Sequence, residues 1–413
     1  MKVKQIRIDG YKNLINCTVD IGDFNILVGP NNSGKSNFLE AIQMLWPICF
    51  GDDKIRGYVF NGAIPRLFMG SSVCHLEHYP EKPLSIGVTF HIEIDGALWF
   101  VDYDVTIQFR HPEKDNGKFL HEKLSAKRPG TPGPAKTYIN RTDDKLTVNN
   151  NSHKISKKNP SLLAIKSLYA DYEHLPPELR FFSRAIRVLS STNVFAFSPT
   201  ALRSNLHEET TMDATYVSSF DLLPAIENIK KDPEKYSLFE NAICEILDIE
   251  NIQFIVKTVN VPTKDHTKET TKDYKYFFLQ LSGNVYNLID EFSDGTLLVV
   301  ATLACLLSSQ TELSPLLCLE EVENCLHPNA VEKLLYFLQT YSDKQPVLIT
   351  THSPYVLNCL RNPGDLNIAV VNEYGATHFE KIQNISKLKQ KLNSGLMNFG
   401  DLLPSNFAEF LGR

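Results

Sequence analysis

The sequence predicts an α/β fold with a mixed sheet, an antiparallel β subdomain, a helical insertion and no long coiled coil. Three observations carry this. An apolar strand, Asn25 to Val28, turns through Gly29-Pro30-Asn31-Asn32-Ser33-Gly34-Lys35-Ser36 into a helical segment. Leu316 to Leu319 and Pro346 to Thr350 are short apolar runs with a helix from Asn329 to Tyr341 between them, a β-α-β unit of buried parallel strands. Ser85 to Ile94 and Ala97 to Phe109 alternate apolar with polar residues across Asp95-Gly96, a dipeptide that favours a tight hairpin.

The remaining elements follow in order. Val3 to Ile8 reads as a strand, and Tyr11-Lys12-Asn13-Leu14 separates it from the strand at Asn25. The helix after Ser36 runs to Trp46, and an irregular Gly- and Pro-containing stretch reaches Pro83. Arg110 to Lys158 is polar, broken by Pro129-Gly130-Thr131-Pro132-Gly133-Pro134, and reads as a surface insertion or long hairpin. Lys154, Lys157 and Lys158 are expected on a solvated loop there. Pro160 to Leu189 and Leu222 to Leu247 have helical spacing; Asn251 to Val259 and Tyr274 to Leu281 read as strands separated by the polar segment Pro262 to Lys272. No seven-residue apolar repeat is sustained, which excludes coiled-coil arms.

Bulk properties narrow the class. The chain has 413 residues, long enough for two to three domains, with 43% hydrophobic and 22% charged residues, as in an ordinary globular protein. Its net charge of −6 excludes a general polycation, so any nucleic acid must meet a local basic face. The longest apolar run, Leu297 to Leu307, is far short of a bilayer span. The N-terminus alternates like a strand and has no signal-peptide core, and the eight cysteines form no C-x-x-C pair. Buried reduced thiols and a cytoplasmic location, with no membrane contact, are expected.

The chemistry is concentrated at four places. In the glycine-flanked loop, Gly29 to Gly34 can aim backbone N–H groups at a phosphate chain, and Lys35 reaches the outer phosphates. The hydroxyl of Ser36 ligates Mg²⁺, and Asn37 continues a helix whose positive end faces the same anion. Pro315 to Glu323 is a buried strand ending in carboxylates: Glu320 is placed to hold the metal and Glu321 to deprotonate a water. Val347 to Pro354 delivers His352 to another strand end, where ligands sit in open α/β sheets. Ser293 and Gly295, in Asp290-Glu291-Phe292-Ser293-Asp294-Gly295-Thr296, open a further helix with a hydroxyl and unpaired N–H groups, a second anion site that a neighbouring subunit's nucleotide can share.

The order and spacing of these motifs resemble the ATP-binding-cassette (ABC) ATPase heads, in the branch that includes SMC, RecF and OLD-family proteins. The resemblance covers Met1 to Phe109 and Tyr274 to Pro354. Within that branch the chain is most similar to the compact ATPases grouped as AAA-type family 21, of bacterial defence and toxin–antitoxin operons. Their signature Leu-Ser-Asp-Gly-Thr corresponds to Phe292-Ser293-Asp294-Gly295-Thr296. Their acid-Glu-Pro-Glu followed by Asn-x-Leu-His-Pro corresponds to Glu320-Glu321-Val322-Glu323-Asn324-Cys325-Leu326-His327-Pro328. Glu320 stands where many relatives carry Asp, and Val322 replaces the usual Pro, loosening the turn after the base; slow turnover is compatible with both.

The resemblance implies an ATPase that uses ATP and Mg²⁺. It implies an N-terminal lobe with the phosphate (Walker A) loop at 1–110, an insertion and helical subdomain at 111–273, and a C-terminal lobe with signature, acidic (Walker B) and His motifs at 274–413. It further implies a homodimer or higher oligomer closed around ATP, regulating a separate effector (a nuclease or toxin) in antiphage defence, with DNA as a possible ligand. The alternatives are a DNA-binding RecF-like repair ATPase and a self-contained OLD-like nuclease. Only Tyr355 to Arg413 follow the His motif, with Asp365, Glu373 and Glu380 scattered, which argues against the nuclease. Gln108 is a candidate for the glutamine that links metal to helical lobe. Arg203, in Ser198-Pro199-Thr200-Ala201-Leu202-Arg203, resembles a Pro-x-x-Leu-Arg segment of these ATPases and either faces nucleotide or partner or makes a structural salt bridge.

Overall fold

The computed structural model describes residues 1–51, 82–108, 117–148, 150–162, 177–190, 192, 194–204, 222–250, 252–265, 268–281, 285–288, 292–308, 315–383, 385–386, 388 and 390. The irregular stretch before Pro83, Asp290-Glu291 and the tail segments Phe399 to Pro404 and Phe407 to Leu411 lie outside the described residues, entirely or for the most part.

In chain order, β1 (Lys2–Asp9), β2 (Cys17–Asp20) and β3 (Phe24–Val28) precede α1 (Lys35–Gln43) and α2 (Leu45–Cys49). A meander follows: β4 (Leu84–Ile94), β5 (Ala97–Gln108), β6 (Lys118–Lys127), β7 (Lys136–Thr142), β8 (Lys145–Val148) and β9 (Asn151–Lys154). Next come α3 (Pro177–Ser190), β10 (Val194–Phe195), α4 (Pro199–Ser204), α5 (Leu222–Ile229) and α6 (Pro233–Leu247). The hairpin strands β11 (Ile252–Asp265) and β12 (Lys268–Leu281) and the short β13 (Val285–Leu288) lead to α7 (Asp294–Leu307). The last elements are β14 (Leu317–Glu320), α8 (Pro328–Tyr341), β15 (Val347–Thr351), α9 (Pro354–Asn358), β16 (Leu366–Val371) and β17 (Thr377–Lys381).

The strands form an eight-stranded antiparallel sheet, β2-β1-β4-β5-β6-β7-β8-β9, a six-stranded mixed sheet, β10-β14-β15-β3-β16-β17, and a three-stranded sheet of β11 to β13. In the mixed sheet β10, β14, β15, β3 and β16 run parallel and only β17 is antiparallel. Its central strand β3 is buried throughout, which is why Asn25-Ile26-Leu27-Val28 reads as a continuous run rather than an alternation. Helix α1 lies under the antiparallel sheet through Phe38, Leu39, Ala41 and Ile42, and Phe38 meets Phe379 of β17 edge-on at 5.2 Å. Helix α7 has every residue from Leu297 to Leu307 buried, so its sequence is apolar on all sides. It packs against α4, α5 and α6 and shares one core with β14, β15 and α8.

Two sequence expectations need correction. Within the polar region read as a surface insertion or long hairpin, Lys118 to Lys154 is a run of strands: β6 to β9 extend the antiparallel sheet by four strands. The alternation was masked because inward positions hold Glu122 and Arg141, both fully buried. Glu122 accepts from Tyr103 Oη at 2.9 Å and Ser161 N at 2.7 Å; Arg141 donates to the carbonyls of Asp143, Ser156 and Asn159. Register shifts between Thr106 and Ile107 and between Leu124 and Ser125 break the period further. Likewise Pro262 to Lys272 does not separate two strands, since β11 and β12 pair continuously from Ile252↔Leu281 to Asp265↔Lys268. The region with helical spacing from Leu222 is two helices, and Asp232 caps the second by accepting from Glu234 N and Lys235 N.

The predicted hairpin between β4 and β5 turns through Asp95 (φ 52°) and Gly96 (φ 73°), as a two-residue turn between right-twisted strands requires. Cys17, Cys49, Cys305 and Cys318 are buried and form no disulfide with one another. Among the described residues no helix is long and apolar enough to cross a membrane.

Candidate functional site

Three parallel strands set the site. β14 and β15 align Glu320 with Thr350, and β15 and β3 align Thr351 with Val28, so all three strands end at one edge of the mixed sheet. That edge receives the glycine-flanked loop, the acidic segment and His352 together. The loop itself is dictated by two glycines. A Cβ on Gly29 would stand 2.8 Å from both Ala369 Cβ and Ser33 Oγ, and Gly34, with φ 87°, would drive one into the Asn13 side chain at 2.9 Å. Asn32, with φ 62°, supplies the remaining left-handed residue of the curl. Pro30, Asn31 and Asn32 are exposed, while Ser33, Gly34 and Lys35 are buried beneath them.

Lys35 lies across its own loop, donating to the carbonyl oxygens of Gly29 at 2.8 Å and Pro30 at 2.9 Å. Burial lowers its pKa; Glu321, Glu323 and Glu320 act in the opposite direction. Ser36 Oγ donates to Glu320 Oε1. Burial raises the pKa of Glu320, partly countered by that bond. A hydroxyl and a carboxylate meeting beside a phosphate loop form the sparse, all-oxygen donor set that suits Mg²⁺, which keeps its other positions for water and phosphate. Asn37 donates to Asn13 Oδ1 at 2.7 Å, and Asn13 in turn donates to Thr377 Oγ1 at 2.9 Å. Asn13 therefore braces the start of α1 from below. Nothing in the spacing of Tyr11 to Leu14 marks it, since its partner Thr377 lies at the far end of the chain.

Glu321 directly follows β14 in a left-handed conformation, φ 48°, at a backbone cost of about 1–2 kcal/mol. Its N–H donates to the Thr350 carbonyl at 3.1 Å, and Asn324 Nδ2 donates to its Oε2 at 2.9 Å. Its Oε1 stands 3.3 Å from His352 Nδ1. Glu323 is the less exposed of the two glutamates. Its Oε1 accepts from Thr351 Oγ1 at 2.6 Å and from His352 N at 3.3 Å, and its buried Oε2 has no hydrogen-bond partner among the described residues. Glu323 thus holds the backbone that presents His352. Despite Val322 in place of proline, the turn is closed by Asn324 N to the Glu321 carbonyl and Leu326 N to the Glu323 carbonyl.

Ser293 and Gly295 stand at the start of α7 rather than on one of these three strand ends. Ser293 caps α7, its Oγ accepting from Thr296 N at 3.1 Å. A Cβ on Gly295 would stand 2.8 Å from the Cys325 carbonyl oxygen, so the start of α7 lies against the loop after β14 rather than against Gly29 to Asn37. Gly295→Ala is expected to displace that loop or the helix start, lowering ATP turnover roughly tenfold or more while nucleotide affinity stays near wild type. Parallel turnover and calorimetric binding measurements check this, and equal loss of both would mean general unfolding. Gln108 ends β5 opposite Lys118, in the antiparallel sheet.

A model of the AAA ATPase domain matches residues 1–357. The DNA replication and repair protein RecF of Vibrio campbellii (strain ATCC BAA-1116) is 30% identical over 87 residues, 21% of this chain and 24% of that protein. The chain thus spans about a quarter of the length of that curated relative. Among solved structures, an Smc head bound to the C-winged helix domain of ScpA is 12% identical, with 94% of this chain and 100% of that chain covered at a TM-score of 0.51. The SMC head domain from Thermotoga maritima is 14% identical over 93% of this chain and 100% of that one, at a TM-score of 0.43. At 12% identity the likeness to the Smc head bound to ScpA is one of fold alone.

Proposed function

The chain belongs to the AAA ATPase domain family, and from that premise we propose an ATP-gated switch of the RecF/SMC type that closes as a dimer around ATP, hydrolyses it, and thereby controls a separate effector. The observation that supports this reading most is the division of the motifs. Lys35, Ser36, Glu320, Glu321 and His352 gather at one sheet edge, whereas Ser293 caps α7, whose Gly295 abuts Cys325 of the same chain. A second copy is then the natural source of a serine and a helix start for the γ-phosphate.

In this reading the N–H groups of Gly29 to Ser36 cradle the phosphates, and Lys35 turns from its loop carbonyls to the outer phosphates. Ser36 and Glu320 would hold Mg²⁺, which would supply positive charge against the phosphates. Glu321 accepts the proton of the attacking water, and His352, held by Glu323 through its backbone N–H, orients that water or the γ-phosphate. The finer kinship with AAA-type family 21, a nuclease or toxin as effector and a role in antiphage defence rest on the resemblance of Glu320 to Pro328, and a cytoplasmic setting on the reduced thiols expected of the cysteines. Co-purification with the product of a neighbouring gene tests that part.

Mixing two inactive variants tests the shared site. Ser293→Arg is expected to bind nucleotide yet not hydrolyse it, and Lys35→Ala to do neither. Each mixed dimer carries one doubly damaged site and one intact site, so partial recovery of turnover is expected. No recovery at any ratio, with mixed dimers shown to form, would reject sharing between subunits.

A second reading, nucleic-acid binding, is favoured by one observation. From Lys118 to Lys158 the chain carries ten lysines and arginines against three carboxylates, although the whole chain has 42 basic and 48 acidic residues. Exposed Lys145 of β8 lies directly opposite exposed Lys154 of β9, a like-charge pair that disfavours the hairpin on its own. With exposed Lys123 of β6 and the hydroxyls and amides between them, this face has phosphate-contacting groups and few apolar anchors. Reversing Lys123, Lys145 and Lys154 to Glu should weaken binding to a short DNA duplex and reduce its salt slope by about 3. An unchanged slope would remove this reading.

A further inference from the structure

Arg203 ties the start of α7 to the catalytic edge of the mixed sheet. It lies on α4, a few residues beyond β10, and β10 pairs in parallel with the acidic strand β14 through Val194↔Cys318 and Phe195↔Leu319. Its two guanidinium arms reach the residues on either side of Ser293. Nη2 donates to the Phe292 carbonyl at 2.6 Å, and Nη1 pairs with Asp294 Oδ1 at 2.7 Å. Of the two expectations for Arg203, that it faces nucleotide or partner or that it makes a structural salt bridge, the salt bridge is present, and it straddles the proposed signature serine.

The placement is unusual electrostatically. The N-terminus of a helix carries positive dipole charge and disfavours a cation, so the guanidinium is held there by Asp294 and by the Phe292 carbonyl. Both partners of the ion pair are partly exposed, and such pairs add little to stability. What the fork does supply is geometry. It fixes the Phe292 carbonyl and the Asp294 carboxylate at once, and with them the backbone that carries Ser293. On the opposite flank Gly295 abuts the Cys325 carbonyl in the loop after β14. The start of α7 is therefore clamped between two segments that both hang from β14, the strand that carries Glu320 and delivers Glu321.

We propose that Arg203 is a positioning residue for ATP hydrolysis in the partner subunit: it sets the Ser293 helix start in register with its own chain's acidic strand, so that the two sites of a dimer are mechanically linked. This rests on the shared-site reading above. Arg203 does not touch substrate. Its loss leaves the chain's own nucleotide cradle intact and misplaces the group offered to the other nucleotide.

The test uses the full chain. Arg203→Ala should retain nucleotide affinity by calorimetry and lose turnover by on the order of a hundredfold, the penalty for misplacing a group by about an ångström. Arg203→Lys, which keeps the charge but not the fork, should recover only part of that loss. Asp294→Asn removes one arm's ionic partner while leaving Arg203 in place, and should show the same pattern in milder form; it carries the test if Arg203→Ala does not fold. The deciding measurement mixes each variant with Lys35→Ala. If Arg203 acts through Ser293 on the partner, the mixed dimer keeps one intact site and regains turnover, as Ser293→Arg does. If Ser293→Arg recovers with Lys35→Ala but neither Arg203→Ala nor Asp294→Asn does, Arg203 serves only its own subunit and the proposal fails alone. If no pair recovers although mixed dimers form, the shared-site reading falls and takes this proposal with it. Wild-type turnover in Arg203→Ala also overturns it.

Discussion

Lys35→Ala should abolish ATP binding. Lys35 is a cation buried to 6% exposure, donating to the Gly29 and Pro30 carbonyls. Three carboxylates, Glu320, Glu321 and Glu323, stand close enough to oppose the fall in its pKa that burial causes. A triphosphate brought to this edge meets that negative charge, and Lys35 is the cation inside the loop that offsets it. Its removal loses the contacts to the outer phosphates and leaves the carboxylates to repel them. Breaking one partner of a desolvated charge pair costs about 3–5 kcal/mol, which corresponds to a loss of affinity of more than a hundredfold. Calorimetric titration with ATP and Mg²⁺ measures it directly. Wild-type affinity in this variant would mean that the loop does not hold the phosphates.

The legible parts of the molecule were those whose residue types are forced by local geometry. Gly29 and Gly34 leave a mark because a side chain has no room at one and an unfavourable φ at the other. The acidic and histidine segments were legible because parallel strands with a short crossover helix must end at the same edge, which brings Glu320, Glu321 and His352 beside the loop. What stayed hidden was long-range or disguised. Glu122 and Arg141 occupy core positions of β6 and β7, so a strand pattern looked like a polar insertion. Asn13 gains its role from Thr377 and Asn37 and has no periodic neighbour; Arg203 stands out through its Pro-x-x-Leu-Arg segment, but its partners Phe292 and Asp294 lie far along the chain. The left-handed backbone of Glu321 has no compositional sign either, because glutamate rarely takes it and does so here under constraint from Thr350 and Asn324.

Glu321→Gln should separate binding from turnover. The side chain keeps its volume and can still accept from Asn324 Nδ2, so the turn after β14 and the His352 contact are preserved in outline. What it loses is the ability to take a proton from water at the moment of attack. General-base catalysis contributes typically 10²–10⁴-fold, so hydrolysis should fall by about that factor while ATP affinity stays near wild type. In the proposed switch, closure driven by ATP and released by hydrolysis then has no exit. The variant should accumulate as an ATP-dependent dimer, seen as a mass increase in light scattering that ADP does not produce. Lys35→Ala in the same background should restore the monomer, since the trapped state requires nucleotide. Undiminished hydrolysis in Glu321→Gln would move the base to Glu323, whose buried Oε2 has no hydrogen-bond partner among the described residues. Glu323→Gln would then have to stop turnover without releasing His352, which its other oxygen holds through the backbone N–H.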